Sequence, residues 1–263
     1  MSIINTIDYM LYPTKLAKSY DNFIFLSPHL DDAILSCGEL LRYLSKKNKN
    51  ITVITIFTKA LRETISPQGR QFLKRCGYSS SIKLYKDFNL EDEKVLNFLK
   101  IKCIHLGYTD AAWRKDKGRK LIYRNPNIQF SGIVSTKDKN LTQKISKDLM
   151  KHIGRLKGKK IILGPLSIGG HVDHTIIKKI IDGIKLPKLY WEDYPYNSNK
   201  GNIKDYFAKN NQEKLLFKIY KLNYSFKKNL IRFYQSQMKS LFPQGKMRII
   251  REAYYFPKNS TLF

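Results

Sequence analysis

The sequence predicts an α/β fold of the Rossmann-like, doubly wound class, with a mostly parallel sheet and helices on both faces. Apolar runs of strand length alternate with segments of helical periodicity along the chain. Several runs are apolar at nearly every position, as expected for strands buried on both faces of a parallel sheet. Polar clusters follow two of the runs directly, and ligands of such folds bind at the carboxyl ends of the strands. We expect a single domain over residues 1–263, because 42% of the residues are hydrophobic and no linker interrupts the pattern.

The first half of the chain begins this alternation. NFIFLS predicts a strand over Asn22 to Ser27, and AILSCGELLRYLSKK predicts a helix over Ala33 to Lys47 because its apolar residues share one face. ITVITIFTKA, residues 51–60, predicts a second buried strand, which completes a βαβ unit. LEDEKVLNFLK then predicts a helix, and IKCIHLG predicts a strand.

The second half continues in the same order. LTQKISKDLMKHIGRL and HTIIKKIIDGI predict helices, whereas KKIILGPL and KLYWED predict strands. IIREAYYF predicts an edge strand near the end of the chain. Turn-forming residues predict two loops: a long insert or flap near the site over Lys115 to Lys139, and a second loop at NSNKGNIKDYF.

A formal net charge of +28 favours an anionic partner in principle. Lysine far outnumbers arginine and is scattered, which a biased genome composition explains equally well. No helix-turn-helix or RNP-type pattern is present, so we expect no specific nucleic-acid binding. An acidic substrate or a weak association with a membrane surface remains open.

The cysteines and the hydropathy pattern indicate where in the cell the protein is expected. The three cysteines are widely spaced and form no CxxC pair, which argues against a disulfide framework or a cysteine zinc finger. No basic, apolar leader opens the sequence, and no run approaches the roughly 20 apolar residues of a bilayer span. These features predict a cytoplasmic protein; they do not predict an oligomeric state.

The stretch FLSPHLDDAILSCGELL places His29, Asp31 and Asp32 between the first strand and the first helix. Taken alone, the cluster has an ordinary explanation, in which an aspartate caps the helix and the histidine belongs to a turn. A second cluster, GPLSIGGHVDHTII, favours a functional site over this explanation. It places His171 and His174 between a later strand and its helix.

The two clusters meet if their strands are neighbours in a parallel sheet. His29, Asp32 and His174 then offer two nitrogens and one oxygen, a set that suits Zn²⁺ with a fourth position left for water. Zinc in such a site lowers the pKa of its water and polarises a carbonyl group.

The remaining polar residues have roles in the same chemistry. Asp31 can accept the proton of the water as a general base. His171, if protonated, can stabilise an oxyanion and donate to a leaving amine. Asp173 can orient a histidine through a hydrogen bond.

SPHLDDA and GGHVDH resemble the motifs PHxDD(E) and HxDH of the PIG-L, or LmbE-like, family of zinc-dependent N-deacetylases. LEDEKVLNFLKIKCIHLGYTDAAWR, LYWEDYPY and FYQSQ resemble further family segments in the same order, over roughly residues 22 to 257. The resemblance implies removal of an N-acetyl group from an N-acetylglucosamine-type sugar or glycoconjugate, releasing acetate and a free amine. By position it implies zinc ligands at His29, Asp32 and His174, a general base at Asp31, and action of His171 at the oxyanion or leaving group.

Two positions depart from the family pattern. Ala33 stands where the family usually has glutamate, which is not a metal ligand there, so the departure concerns support of the site or contacts with the substrate. Many members carry an arginine just before the ED pair, where this chain has Phe88 and Asn89.

Residues after two other strands are candidates for substrate binding. Asp110 can accept from sugar hydroxyls and Arg114 can pair with an anion, although a solvated loop with an incidental ion pair explains both equally well. Glu192 and Asp193 follow a strand and are expected to line the pocket. His105 lies within an apolar strand, where we expect a structural role.

An alternative from another class is a basic α/β module that binds an anionic ligand and whose metal site has decayed. Ala33 and the charge of +28 favour it. A nicotinamide or flavin enzyme is disfavoured, because no G-x-G-x-x-G follows the first strand.

Overall fold

The computed structural model describes residues 8–62, 66–210, 213–219 and 224–258. Within these ranges a seven-stranded sheet has the order β3-β2-β1-β4-β5-β7-β6. The strands are β1 Asn22–Ser27, β2 Asn50–Thr55, β3 Lys102–His105, β4 Lys160–Pro165, β5 Lys188–Trp191, β6 Glu213–Ile219 and β7 Glu252–Pro257. The first five run parallel, and β7 is antiparallel to both β5 and β6.

The described helices cover both faces of this sheet. They are α1 Asp8–Ser19, α2 Asp32–Lys46, α3 Pro67–Cys76, α4 Ser81–Phe98, α5 Pro126–Gln129, α6 Lys139–Gly154, α7 Val172–Gly183, α8 Lys200–Lys209, α9 Tyr224–Ile231 and α10 Met238–Leu241. Along β1, Phe23 and Phe25 join the apolar cluster that includes α2 and α4, whereas Ile24 and Leu26 join the cluster that includes α6 and α7. This alternation of side chains confirms the predicted doubly wound α/β class.

Two predictions about local structure were wrong. The predicted C-terminal edge strand, β7, lies between β5 and β6, because the unpredicted strand β6 pairs along its outer side. The predicted loop NSNKGNIKDYF contains α8, which begins where the side chain of Asn199 accepts a hydrogen bond from the N–H of Gly201. The insert over Lys115 to Lys139 is largely irregular, as predicted.

The order of the strands creates a crevice between β1 and β4. The chain runs outward from β1 to β3 on one side and from β4 to β5 on the other, so the connections after β1 and β4 diverge. Ligands of doubly wound folds bind at such a switch point. All described strands belong to the same sheet, which agrees with one domain over residues 1–263, although that boundary stays a prediction. Among the helices in the described ranges, none has the length and apolar character needed to cross a bilayer.

Candidate metal centre and active site

The loops after β1 and β4 meet at the carboxyl edge of the sheet. Phe25 of β1 lies opposite Leu163 of β4 in a parallel pair, so the two loops lie side by side. The ring centroid of His29 lies 4.9 Å from that of His171 and 5.3 Å from that of His174. The fold therefore brings together the two polar clusters that are far apart in sequence.

A glycine lets the insert pack closely against the loop after β4. Gly170 has a φ of +70°, and a Cβ atom at this position would lie 2.6 Å from the carbonyl oxygen of Phe130. The N–H of Gly132 donates to the carbonyl oxygen of Gly170 over 2.7 Å. Because glycine has neither the steric conflict nor the strain, the insert reaches the cavity beside His171.

His29, Asp32 and His174 offer two imidazole nitrogens and one carboxylate oxygen, and that oxygen lies close to a nitrogen of each ring. Asp32 Oδ2 lies 3.2 Å from His29 Nδ1 and 3.3 Å from His174 Nε2. Tetrahedral zinc with bonds of about 2.0–2.1 Å holds its ligand atoms roughly 3.3–3.4 Å apart. His174 Nε2 is buried and has no hydrogen-bond partner among the described residues, as expected of a nitrogen that binds a metal. The donor set of two imidazoles and one carboxylate therefore fits zinc.

Carboxylates behind the two histidines determine which ring nitrogen is free for the metal. His174 Nδ1 lies 2.7 Å from Asp193 Oδ1, so the proton of the neutral ring sits on Nδ1 and Nε2 keeps its lone pair. His29 Nε2 lies 3.2 Å from Asp173 Oδ2 and 3.4 Å from Asp110 Oδ2, which leaves Nδ1 facing Asp32. In its neutral form, each ring would therefore keep its lone pair on the nitrogen that faces Asp32.

The charges of the metal centre are mutually dependent. Burial alone raises the pKa of Asp32, but His174 and His29 outweigh it and hold the pKa of Asp32 well below its usual range. Burial alone lowers the pKa of His174, but the carboxylates of Asp32 and Asp193 raise that pKa to about 9. The metal-free centre therefore holds protons that a metal ion has to displace.

Asp31 lies at the N-cap position of α2, yet its side chain makes no capping hydrogen bond. The carboxylate instead lines the cavity and is 8% exposed. Burial and the neighbouring Asp32 carboxylate raise the pKa of Asp31 to about 8. The simple capping explanation thus does not account for Asp31, whereas its place on the cavity wall beside the candidate metal ligands suits a general base.

His171 is held as a neutral ring by its surroundings. Its Nδ1 accepts a hydrogen bond from the backbone N–H of Asp173 over 3.2 Å, so the ring proton lies on Nε2. Burial and the neighbouring His29 lower the pKa of His171 well below its usual value. The sequence-based role assumed a protonated His171, whereas this environment favours a neutral ring that donates through Nε2–H.

The terminal amide of Gln129 lies against the Nε2–H group of His171. Its Nε2 is 2.9 Å from His171 Nε2, while its own Oε1 is buried without a hydrogen-bond partner in the described part of the chain. Two N–H groups cannot hydrogen-bond to each other, and a flip of the amide brings Oε1 onto His171 Nε2–H and satisfies both groups. Gln129 is a site residue that sequence reasoning missed, because a glutamine in an irregular insert carries no motif.

The candidate substrate residues Asp110 and Arg114 lie in different surroundings. Asp110 lines the cavity and accepts hydrogen bonds from the Tyr85 hydroxyl over 2.8 Å and from a backbone N–H over 2.7 Å. Arg114 is 5% exposed and its guanidinium contacts Asp173 over 2.6 Å and Asp138 over 3.0 Å. Its ion pairs therefore orient Asp173 behind His29, in place of the expected contact with a substrate anion.

Glu192 and Asp193 also lie behind the site. Glu192 accepts a hydrogen bond from the Tyr255 hydroxyl over 2.6 Å, which ties β5 to β7. Asp193 contacts His174 Nδ1 and accepts a hydrogen bond from the N–H of Ile168 over 2.9 Å. Neither residue is among the described residues that line the cavity, and both carboxylates are engaged by protein groups.

The two departures from the family pattern have structural consequences. Ala33 is 3% exposed and packs in the apolar cluster, so its side chain adds no polar group to the site. Phe88 lines the cavity, so the position before the ED pair contributes an aromatic ring to its wall.

A cavity of about 450 Å³ opens from the metal centre toward α3 and α10. Such a volume is typical of small-molecule sites. Among its described lining residues, Arg75 is the only lysine or arginine, whereas Asp31, Asp32 and Asp110 supply carboxylates.

Comparison with known proteins identifies the class of enzyme. The chain is 25% identical over 190 residues to a 2'-N-acetylparomamine deacetylase of Niallia circulans, a match that covers 66% of this chain and 67% of that protein. A protein of the same name from Streptomyces fradiae is 25% identical over 189 residues, covering 68% of this chain and 59% of that protein.

The fold agrees with that of a solved deacetylase. The zinc-inhibited form of teicoplanin deacetylase superposes with a TM-score of 0.68 at 19% identity, covering 91% of this chain and all of that one. The family model described as PIG-L, GlcNAc-PI de-N-acetylase, matches residues 24–184, more than half of the chain, and includes both polar clusters. This chain therefore belongs to the PIG-L family of zinc-dependent N-deacetylases.

Proposed function

We propose that this enzyme hydrolyses the acetamide of an N-acetylated amino sugar or glycoconjugate of the N-acetylglucosamine type. The products are acetate and the free amine. The observation that carries the proposal is the placement of Asp32 Oδ2 within 3.2 and 3.3 Å of two histidine nitrogens, at the end of a cavity lined by Asp31 and His171. The curated relatives, named as deacetylases of an N-acetylated aminoglycoside, support the same chemistry. They do not favour the basic binding module.

The proposed roles follow from the contacts of each residue. His29, Asp32 and His174 hold zinc, which supplies Lewis acidity and favours ionisation of water near neutral pH. Asp31 accepts a proton from the attacking water, and the charge of a bound zinc ion would keep its carboxylate ionised at neutral pH. Asp173 orients the ring of His29 through its contact with Nε2.

The reaction consumes one water molecule. A bond forms between the water oxygen and the carbonyl carbon, and the bond from that carbon to the sugar nitrogen breaks. One proton passes to Asp31 and a proton is returned to the nitrogen, so that acetate and amine leave. Asp31 returns that proton to the nitrogen, while His171, held in position by Gln129, donates a hydrogen bond from its neutral Nε2–H to the developing oxyanion.

The finer expectations about location are part of this proposal. A cytoplasmic location is supported by the three cysteines, all of which are free thiols. A weak association with anionic membrane surfaces would follow from the net charge of +28, and sedimentation with anionic lipid vesicles at low and high salt tests it.

The first experiment combines elemental analysis of the purified protein with an assay of acetate release from N-acetylglucosamine and its glycosides. We expect about one zinc per chain, loss of acetate release with a chelator, and recovery on addition of zinc. A folded protein that binds no zinc, or that releases no acetate from any of these sugars when loaded, would contradict the proposal.

A further inference from the structure

The insert is joined to the metal centre by a series of buried polar side chains. The Tyr123 hydroxyl donates to Asp138 Oδ2 over 2.8 Å, and Arg114 Nε lies 3.0 Å from the same oxygen. Arg114 Nη2 donates to Asp173 Oδ1 over 2.6 Å, and Asp173 Oδ2 lies 3.2 Å from His29 Nε2. These contacts form an unbroken path from the insert to a proposed zinc ligand. We call Tyr123, Asp138 and Arg114 the insert network.

Arg114 is fixed at the centre of this network. Its guanidinium lies 5.0 Å from the ring of Phe57 and 5.2 Å from that of Tyr123, and its Nη1 donates to the carbonyl oxygen of Thr109 over 3.1 Å. The planar fork thus meets two carboxylates and a carbonyl in fixed directions, which a single ammonium group cannot do. Arg114 is only 5% exposed and both carboxylates are buried, so solvent screens these ion pairs weakly.

Both oxygens of Asp173 are positioned by these contacts. Oδ1 accepts from Arg114, while Oδ2 accepts from the N–H of Ala111 over 2.9 Å and faces the ring of His29. Because His29 Nδ1 is the proposed zinc ligand, a carboxylate fixed behind Nε2 holds the ring in the orientation that zinc binding requires. Residues that fix Asp173 therefore act on the metal through it.

The same insert supplies part of the cavity wall. Gln129 and Phe130 line the cavity, and the amide of Gln129 contacts His171. The N–H of Ser135 donates to the Tyr123 hydroxyl over 3.1 Å, so the network also fixes the path of the insert itself. The contacts that hold the insert in place and those that hold Asp173 in place thus share the same side chains.

We propose that the insert network positions His29 for zinc through Asp173, so that docking of the insert and binding of zinc stabilise each other. This inference rests on the proposed role of His29 as a zinc ligand. If docking of the insert raises zinc affinity by a given factor, zinc favours docking by the same factor. Arg114, Asp138 and Tyr123 are positioning residues, since none of them is among the described residues that line the catalytic cavity.

The zinc affinity of two variants tests the positioning role. Arg114→Lys keeps the charge but loses the fork, and it is expected to weaken zinc binding about tenfold in competition with a chromophoric chelator. Tyr123→Phe removes one hydroxyl at the far end of the network. It is expected to weaken zinc binding about threefold, because only part of the lost hydrogen-bond energy reaches the metal. Tyr123→Phe serves if Arg114→Lys fails to fold.

Tyr234→Phe is the matched control. Tyr234 is fully buried, and its hydroxyl donates to the buried Asp92 over 2.6 Å. Tyr123 is equally buried and donates to the buried Asp138 over 2.8 Å. Both variants are expected to lower the thermal midpoint of the metal-free protein by similar amounts, whereas only Tyr123→Phe lowers zinc affinity. A merely structural role would leave zinc affinity the same in both.

Amide hydrogen exchange measures the reciprocal effect on the insert. Zinc is expected to slow exchange over residues 115–139 of the unmodified protein about tenfold, the same factor as the loss of zinc affinity in Arg114→Lys. In Arg114→Lys itself, zinc is expected to change exchange of these residues less than twofold.

Three results would overturn the inference: unchanged zinc affinity in both network variants, an equal loss of zinc affinity in Tyr234→Phe, or exchange of the insert that zinc does not slow. The zinc content of His29→Ala is measured beside them. Retention of zinc by His29→Ala refutes the proposed ligand role, whereas loss of zinc there, with unchanged affinity in the network variants, refutes the network alone. Acetate release by the unmodified enzyme enters neither measurement.

Discussion

Two clusters of histidine and carboxylate side chains lie at the carboxyl ends of the parallel strands, and they differ in whether a partner is missing. At the candidate metal centre, His174 Nε2 is buried 3.3 Å from Asp32 Oδ2 and has no hydrogen-bond partner among the described residues. In the second cluster, His105 Nε2 lies 2.8 Å from Asp92 Oδ2, and the Tyr234 hydroxyl donates to Asp92 Oδ1 over 2.6 Å. The first cluster therefore has a buried nitrogen free to bind a cation, whereas both oxygens of Asp92 in the second cluster are already engaged.

The comparison shows that residue types alone do not identify a metal site. Cys103, His105 and Asp92 also have ligand atoms within 4.8 Å of one another. Yet both Asp92 oxygens are engaged, and none of the three residues appears among the described residues lining the catalytic cavity. The second cluster fastens α4 and β3 to the segment that carries Tyr234, which agrees with the structural role expected for His105.

Removing one histidine from each cluster is expected to give the largest difference in zinc content and acetate release. His174→Ala is expected to lose bound zinc and to abolish acetate release, because one of three protein ligands is gone. His105→Ala is expected to keep about one zinc per chain and to lower the thermal midpoint instead. Zinc content and thermal unfolding are measured for both variants. Zinc loss in His105→Ala, or full zinc in His174→Ala, would reverse the two assignments.

Asp31→Asn separates proton transfer from metal binding. The amide cannot accept the proton, so kcat is expected to fall by about 10²- to 10⁴-fold while the zinc content stays unchanged. Asp87→Asn, at a partly exposed carboxylate that pairs with Tyr78 outside the cavity, is the matched control. Unchanged kcat in Asp31→Asn would remove Asp31 from its proposed role.

Asp193→Asn tests whether the carboxylate behind His174 orients it. Loss of the contact to Nδ1 is expected to weaken zinc binding by about 10- to 100-fold. Competition with a chromophoric chelator measures this change, and excess zinc should restore most of the activity. If the zinc affinity of this variant were unchanged, the tautomer of His174 would not depend on Asp193.

Zinc binding is expected to strengthen with pH. In the metal-free protein the neighbouring carboxylates raise the pKa of His174 to about 9, although burial opposes this, so the ring is protonated at neutral pH. Zinc binds the neutral ring, and its affinity should therefore rise by at least about tenfold per pH unit up to that pKa. Calorimetry in buffers of different ionisation enthalpy should show proton release, and a pH-independent affinity would refute the linkage.

Tyr234→Phe gives the smallest effect on catalysis. Removing the hydroxyl leaves one Asp92 oxygen unpaired, which is expected to lower the free energy of unfolding by about 1–3 kcal/mol. Acetate release per bound zinc should stay within twofold of the unmodified enzyme. A large loss of kcat with normal stability would connect the second cluster to the reaction.

The sequence by itself determined the fold class and supplied the candidate residues of the metal centre. Period-two and helical hydrophobic patterns are local, so the order of strands and helices could be derived from them. The spacing of His29 and Asp32, and of His171 and His174, lies within single loops at strand ends, and the rule that parallel strands end at one edge was enough to bring those loops together. A resemblance in short motifs then supplied the chemistry.

Only the tertiary structure decided what surrounds the metal centre. Arg114, Glu192 and Asp193 follow strands just as the catalytic residues do, but packing turns them toward Asp173, Tyr255 and His174 and away from the cavity. Gln129 lies in an irregular insert whose sequence carries no periodic signal. Its position depends on contacts between distant parts of the chain, which composition and spacing do not encode. For the same reason the net charge of +28, a sum over the whole surface, could not predict a cavity with a single arginine among its described lining residues.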